Sequence, residues 1–412
     1  MSDLQQQLEA LRRKVARIDK KYGAGAPRPD TKPARFFIEE WMSGQVVETP
    51  YGFHFETEKL WERHRLHGSF EISTLAELPE DLLGPLSSGD VGNVPPTRWA
   101  FLDTETTGLA GGTGTYAFLI GVGRISPQGF RLRQFFMRDY GEESSLLWGL
   151  TQHLEEFDVL VTYNGKAYDQ PLLETRYRMA RQRPPFARLS HLDLLFGARR
   201  LWKLRVESCR LVDLENRILG VEREGDLPGE MIPYVYFEYL RTQQAFRVVP
   251  IFHHNAIDIL SLACLTGIVP FAFRSPGEAP LVHGADLVGL ARWFQDSGGR
   301  EQALELMRRA VGLGLPDELL FRTLWDTAML EKRLGRLAAA LEILNDLAGS
   351  RNPYRAAALE ELAKHYEHRE KDHAKALELV RAAIAASDSA ELRQREARLE
   401  RRVAKPRPQR LL

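Results

Sequence analysis

Asp103 and Glu105 stand two residues apart at the end of an apolar run, Arg98-Trp-Ala-Phe-Leu102, within Asp103-Thr-Glu-Thr-Thr-Gly-Leu109. The run reads as a buried strand, and residues two apart on a strand point to one face. Two carboxylates side by side repel, and burying them is costly unless a cation neutralises them. Hard divalent cations take oxygen ligands of this kind. Solvation at a strand terminus accounts for an arbitrary D-x-E, but here the pattern is longer and has downstream partners, so metal binding is the working hypothesis. Asp169 sits just after a strand, at the start of a helix, where the macrodipole favours an acid in any case. Asp258 lies in Phe252-His-His-Asn-Ala-Ile-Asp258. With Asn255 as N-cap, Asp258 at N3 would complete a variant capping box, which does not exclude a ligand role.

The elements that must position these acids follow an α/β pattern from Arg98 onward. Tyr116 to Ile125 and Phe130 to Met137 are predicted strands joined by a turn at Ser126-Pro-Gln-Gly129, and 142–156 is a predicted helix. Asp158 to Tyr163 is a fourth strand. Asn164-Gly-Lys-Ala-Tyr-Asp169 turns into a helix through Arg181, and Leu189 to Leu195 is a fifth strand. Three consecutive strands followed by alternating helices and strands predict a mixed five-stranded sheet with flanking helices. Ala110-Gly-Gly-Thr-Gly114 is glycine-rich but is no P-loop, since no G-K-[ST] follows it.

Around this core, residues 4–21 carry Leu4, Leu8, Leu11, Val15 and Ile18 on a short heptad seam, and a Gly/Pro linker closes the segment 1–34. Residues 35–97 form an extension packed on or leading into the main domain. In it, Val46 to Glu56 looks like a turn between short strands, and His54, His64 and His67 are surface or hydrogen-bonded histidines. The main domain is assigned to 98–275. Beyond it, Ala303-Leu-Glu, Ala340-Leu-Glu and Ala376-Leu-Glu recur, each after a break, at a period close to that of tetratricopeptide-type helix pairs. An all-α array over 283–388 is therefore expected, followed by a charged tail over 389–412.

Lys plus Arg and Asp plus Glu both number 56, so net charge neither favours nor opposes a nucleic-acid partner. The two cysteines, Cys209 and Cys264, are far apart, which excludes a disulfide scaffold and a zinc ribbon and suits a reducing cytosol. No run of 18 apolar residues and no signal peptide is seen, so the expectation is a cytoplasmic protein without a membrane partner. Basic residues cluster between Tyr168 and Arg210, including Arg176, Arg199, Arg200 and Lys203, close in sequence to the acids. Such clustering predicts a phosphate-tracking surface, on which Trp202, Tyr163 and Tyr168 are candidates to stack bases.

Asp103-x-Glu105, Asn164-Gly-x-x-x-Asp169 and His254-Asn-x-x-Asp258 together resemble the DEDD superfamily of 3′-5′ exonucleases on an RNase H-like fold. The chain is more closely similar to the bacterial YprB-like ribonuclease H-like family. It shares D-T-E-T-T-G-L, the Tyr163-Asn-Gly-Lys turn, His191-Leu-Asp-Leu-Leu195, Leu214-Glu-Asn-Arg-Ile-Leu-Gly220, Asp226-Leu-Pro-Gly229 and H-N-x-x-D. The resemblance spans about residues 45–270. It implies two divalent ions, Mg2+ or Mn2+, with Asp103 bridging both, Glu105 and Asp258 completing one site and Asp169 holding the second. It implies nucleic acid, single-stranded DNA or RNA, as substrate; the helical repeats, generic in function, are candidates to bind a protein partner. Thr106, Tyr163, Asn164, Lys166, Arg176, Trp202 and Lys203 are the expected nucleic-acid contacts. His253 and His254 compete as proton acceptor. A helix that already includes residue 254 puts only His254 on the face of Asp258, whereas a helix capped by Asn255 leaves both outside. The resemblance favours His254.

Overall fold

The structure, a computed structural model, describes residues 36–87, 89–108, 113–279 and 281–404. The helix expected over 4–21 and residues 110–112 of the glycine-rich loop lie outside these. The chain divides into two compact units: one runs through Arg199 and takes in Ser208–Ser275, and the other combines Arg200–Glu207 with the chain from Pro276 onward.

The first unit is built on β1 (Gln45–Thr49), β2 (Gly52–Glu62), the small hairpin β3 (Leu66–His67) and β4 (Phe70–Glu71), β5 (Trp99–Thr106), β6 (Ala117–Ser126), β7 (Gly129–Phe136), β8 (Val159–Thr162) and β9 (Ser190–Asp193). Seven of these make one mixed sheet in the order β1-β2-β7-β6-β5-β8-β9, two more strands than the five predicted. The extra pair comes from the stretch read as a turn between short strands. Only Pro50 and Tyr51 turn, because Thr49 pairs with Gly52, and β2 then runs on to pair with β7 from Phe55 to Glu62. The extension before residue 98 is thus part of the sheet. β5 lies between antiparallel β6 and parallel β8. β6 is buried on both faces along almost its whole length, as an interior strand requires.

Helices α1 (Glu143–Leu154), α2 (Asp169–Met179), α3 (Leu194–Trp202), the single turn α4 (Leu211–Leu214), α5 (Ile232–Thr242) and α6 (Val249–Arg274) complete this part of the chain. Aromatic rings fill the core: Phe118 stacks on Tyr236 with centroids 3.8 Å apart, and Phe136 meets Phe252 at 5.0 Å. By length and composition, the stretch holding α6 could cross a membrane, but 72% of its most apolar window is buried inside the protein, as in a core helix. His54 is fully buried, with Nδ1 2.8 Å from Ser145 Oγ and Nε2 2.9 Å from Glu56. This serine, histidine and glutamate row admits no substrate, since all three residues are buried; it joins β2 to α1.

The second unit contains α7 (Gly284–Asp296), α8 (Arg300–Leu313), α9 (Asp317–Arg333), α10 (Leu337–Gly349), α11 (Arg355–His365), α12 (His373–Ala386) and α13 (Ala390–Val403). Ala303, Ala340 and Ala376 occupy equivalent places near the starts of α8, α10 and α12, and each is fully buried. The breaks before them turn through left-handed residues, Gly298, Gly335 and Lys371. The charged segment after the array is helical to Val403, and it packs on the array through Leu392 and Leu399. Its arginines Arg395, Arg398 and Arg402 converge on the buried carboxylate of Glu367.

Candidate active site

β5 delivers Asp103 and Glu105 to the sheet face that α6 crosses. The row Gln134-Gly121-Asp103 runs across β7, β6 and β5 at one register position. Gly121 leaves the room that α6 needs: a Cβ there would lie 2.3 Å from both Asn255 Oδ1 and Ile259 Cδ1. Asn255 is fully buried, accepts from Gln134 Nε2 at 2.9 Å and donates to Asp103 Oδ2 at 2.9 Å. The capping-box reading is therefore corrected. α6 begins at Val249, with Pro250 in its first turn where proline is favoured, so Asn255 is a helix-interior residue that clamps the helix to Asp103.

That helix frame separates the two histidines. His254 and Asp258 share a face, with Nε2 3.6 Å from Asp258 Oδ2, whereas His253 is exposed. His254 Nδ1 lies 2.8 Å from Asp226 Oδ2, which assigns the Nδ1–H tautomer and leaves the Nε2 lone pair facing the acids. Burial on its own would lower the His254 pKa; the bond to Asp226 and the Asp258 charge outweigh it and raise the value. Asp169 opens α2 and accepts from Thr104 Oγ1 at 2.5 Å. Its turn is held by Asp193 of β9, whose carboxylate accepts from the backbone N–H groups of Asn164, Lys166 and Leu195.

Burial, followed by the charges of Asp258 and Asp169, pushes Asp103 well above the usual carboxylate range. Glu105 is raised in the same way by burial and then by Asp103, Asp258, Asp169 and Asp226, while burial lifts Asp169 to about 6. These acids cannot all stay ionised without a cation among them. Donor atoms of Glu105, His254 and Asp258 lie within 4.8 Å of one another, close enough to share one ion. The oxygen-rich donor set suits a hard divalent cation.

The chain matches a family model of the RNase H superfamily over residues 100–269. A Bacillus subtilis (strain 168) protein named uncharacterized protein YprB is 34% identical over 371 residues, which cover 87% of each chain. The chain belongs to the YprB family. The span matched to the RNase H superfamily runs from β5 into α6 and takes in Asp103, Glu105, Asp169, His254 and Asp258. A domain matching that superfamily suggests a nuclease, and RNase H-like domains generally use divalent metals.

The expected nucleic-acid contacts of this YprB-family chain divide. Arg176 is 2% exposed, held by Glu143 and the Thr113 carbonyl and stacked 3.7 Å over the Tyr116 ring. It locks α2 to α1 and is not available to a phosphate. Trp202 is likewise 2% exposed and offers no face for stacking. Tyr163 is half-buried and donates its hydroxyl to the Cys209 carbonyl, so its polar end is already used. Thr106 donates to the Gly108 carbonyl. Asn164 and Lys166 are exposed beside the turn that leads to Asp169, and Lys203 is exposed but belongs to the second unit. The basic run is also partly spent internally: Arg188 donates to the carbonyls of Phe157 and Leu154, and Arg205 pairs with Asp286. Sequence reasoning assigned no role to Arg223, Glu215, Asp226 or Asp193, and read Asn255 only as an N-cap. Four of these lie inside motifs already quoted for the family resemblance, while Arg223 lies in an acidic stretch between two of them.

Proposed function

We propose that this protein is a metal-dependent nuclease that hydrolyses phosphodiester bonds of single-stranded DNA or RNA from the 3′ end. The observation that carries the reading is the convergence of buried carboxylates held above their ordinary pKa beside a histidine of assigned tautomer. Asp103, Glu105 and Asp258 would hold one ion, and Asp103 with Asp169 a second. When bound, a pair of divalent ions supplies charge stabilisation to the attacking and leaving oxygens of a phosphodiester and lowers the pKa of water.

The chain's own groups do the rest. Asn255 fixes the Asp103 carboxylate, so the strand pair presents its oxygens at a set angle. Asp226 holds His254 so that Nε2 can accept the proton of the attacking water. Asn164 and Lys166, exposed beside the turn that leads to Asp169, are the groups proposed to contact a substrate backbone. The test is purified protein with 5′-labelled single-stranded DNA and RNA in Mg2+, Mn2+ or EDTA. A ladder shortening from the 3′ end in metal, and none in EDTA, is the expected result. Intact substrate in every metal would assign a nuclease-derived scaffold, with the helical array as its working part.

A further inference from the structure

We infer that Arg223 is a positioning residue of the metal site, a fixed bracket that makes Asp258 a one-oxygen ligand. This rests on the metal-dependent reading above. The Arg223 side chain is 9% exposed and its donors are almost fully engaged. Nε donates to Glu215 at 2.6 Å, and Nη2 is shared between Glu215 and Asp258 Oδ1. Nη1 reaches Asp226 Oδ2 at 3.0 Å and lies 3.4 Å from His254 Nδ1. One guanidinium thus meets three carboxylates and borders the histidine. The fork on Glu215 is the anchor, because Glu215 is fully buried in the turn after α4. Glu215 also bonds Ser261, one turn beyond Asp258 on α6, and Ser261 lies 2.6 Å from His67 Nε2.

The bracket engages Asp258 Oδ1 and leaves Oδ2 facing His254 Nε2 at 3.6 Å, and the donor atoms of Glu105, His254 and Asp258 converge with Arg223 in place. The charge of Arg223 also acts on Asp258 and Asp103, so the bracket and the charge push metal affinity in opposite directions. Groups that hydrogen-bond metal ligands in this way typically change affinity 10–100-fold when removed. Coulomb's law predicts the opposite sign: a cation beside a ligand carboxylate repels a dication, and deleting it should tighten binding.

The sign of the change decides. Mn2+ affinity of the full chain, without nucleic acid, is measured by electron paramagnetic resonance for the parent, Arg223→Lys and the double variant Glu215→Gln/Arg223→Gln. Lysine keeps the charge but cannot span the three carboxylates. The double variant removes both buried charges together and so avoids an orphaned Glu215. Arg176→Ala, which removes a guanidinium away from the acids, is the control for lost stability. The expected result is binding weaker by about 10–100-fold in both Arg223 variants, with the Arg176 variant at parental affinity. Unchanged or tighter binding in the Arg223 variants, with the parent binding Mn2+, overturns the bracket alone. Weakening of the Arg176 variant to the same degree overturns it too. A parent that binds no Mn2+ removes the metal reading and the bracket with it.

Discussion

At the residue scale the site is defined by charge that the metal-free protein struggles to hold. For Asp103, Glu105 and Asp169 the folded-state pKa lies above the unfolded one. Stability from these groups is therefore complete when they are protonated and is lost as pH rises through their raised values. In EDTA, Asp103→Asn should melt above the parent, with a gap that widens as pH rises above the ordinary carboxylate range, at about 2–4 °C for each kcal/mol recovered. Mn2+ should stabilise the parent more than the variant, read by melting curves with and without metal. The same variant should lose metal-dependent cleavage; full activity would remove the two-ion reading. His254→Ala should slow single-turnover cleavage about 10²–10⁴-fold and His253→Ala much less, and the reverse order would move the proton acceptor to His253. The acids and His254 were legible through the family resemblance that D-x-E, N-G-x-x-x-D and H-N-x-x-D carry in combination, and the structure brings Glu105, His254 and Asp258 together. Arg223 was not, because its meaning comes from Glu215, Asp226 and Asp258 meeting it, and a lone arginine among acids looks like solvated surface.

At the element scale, what matters is how closely α6 approaches the sheet. Gly121→Ala would press on Asn255 and Ile259, so it should cost about 1–3 kcal/mol and also weaken Mn2+ binding, by urea unfolding and metal titration. Parental values for both would mean that the gap at Gly121 is incidental. Arg176→Ala leaves Glu143 without its partner in a site where the two side chains are 3% and 13% exposed. A loss of about 3–5 kcal/mol is expected, with oligonucleotide affinity of the folded protein unchanged. A fall in affinity without a fall in stability would return Arg176 to the substrate surface. The strands of the core were legible from their apolar runs, β6 and β8 above all. The turn between short strands at Val46 to Glu56 was legible, but the run of β2 onto β7 was not, because Glu56-Thr-Glu-Lys59 interrupts the apolar residues and the strand is exposed toward its end. The start of α6 was left open between a helix including residue 254 and one capped by Asn255, because His-His-Asn looks polar enough for a cap, whereas Val249-Pro-Ile-Phe252 is already its first turn.

At the scale of the whole molecule, the recurring Ala-Leu-Glu was legible because a small residue is needed where helices pack closely. The crossing of the chain between units was not, since nothing in Arg200 to Glu207 marks it as belonging with helices eighty residues later. Gly289 of α7 comes against the Arg200 and Leu201 carbonyls, and Arg205 pairs with Asp286. A chain ending at Ser275 should therefore bind a hydrophobic dye and unfold less cooperatively than one ending after α8. Equal behaviour of the two truncations would show that 200–207 folds without its later partners. The same segment sets an order of events during synthesis. Leu201, Trp202 and Val206 leave the ribosome about 100 residues before Leu313 closes α8, an interval of about 5–20 s at ordinary elongation rates. Throughout that wait a newly made apolar stretch has no mate, so the yield of native protein depends on how fast the chain is translated and on what shields that stretch meanwhile.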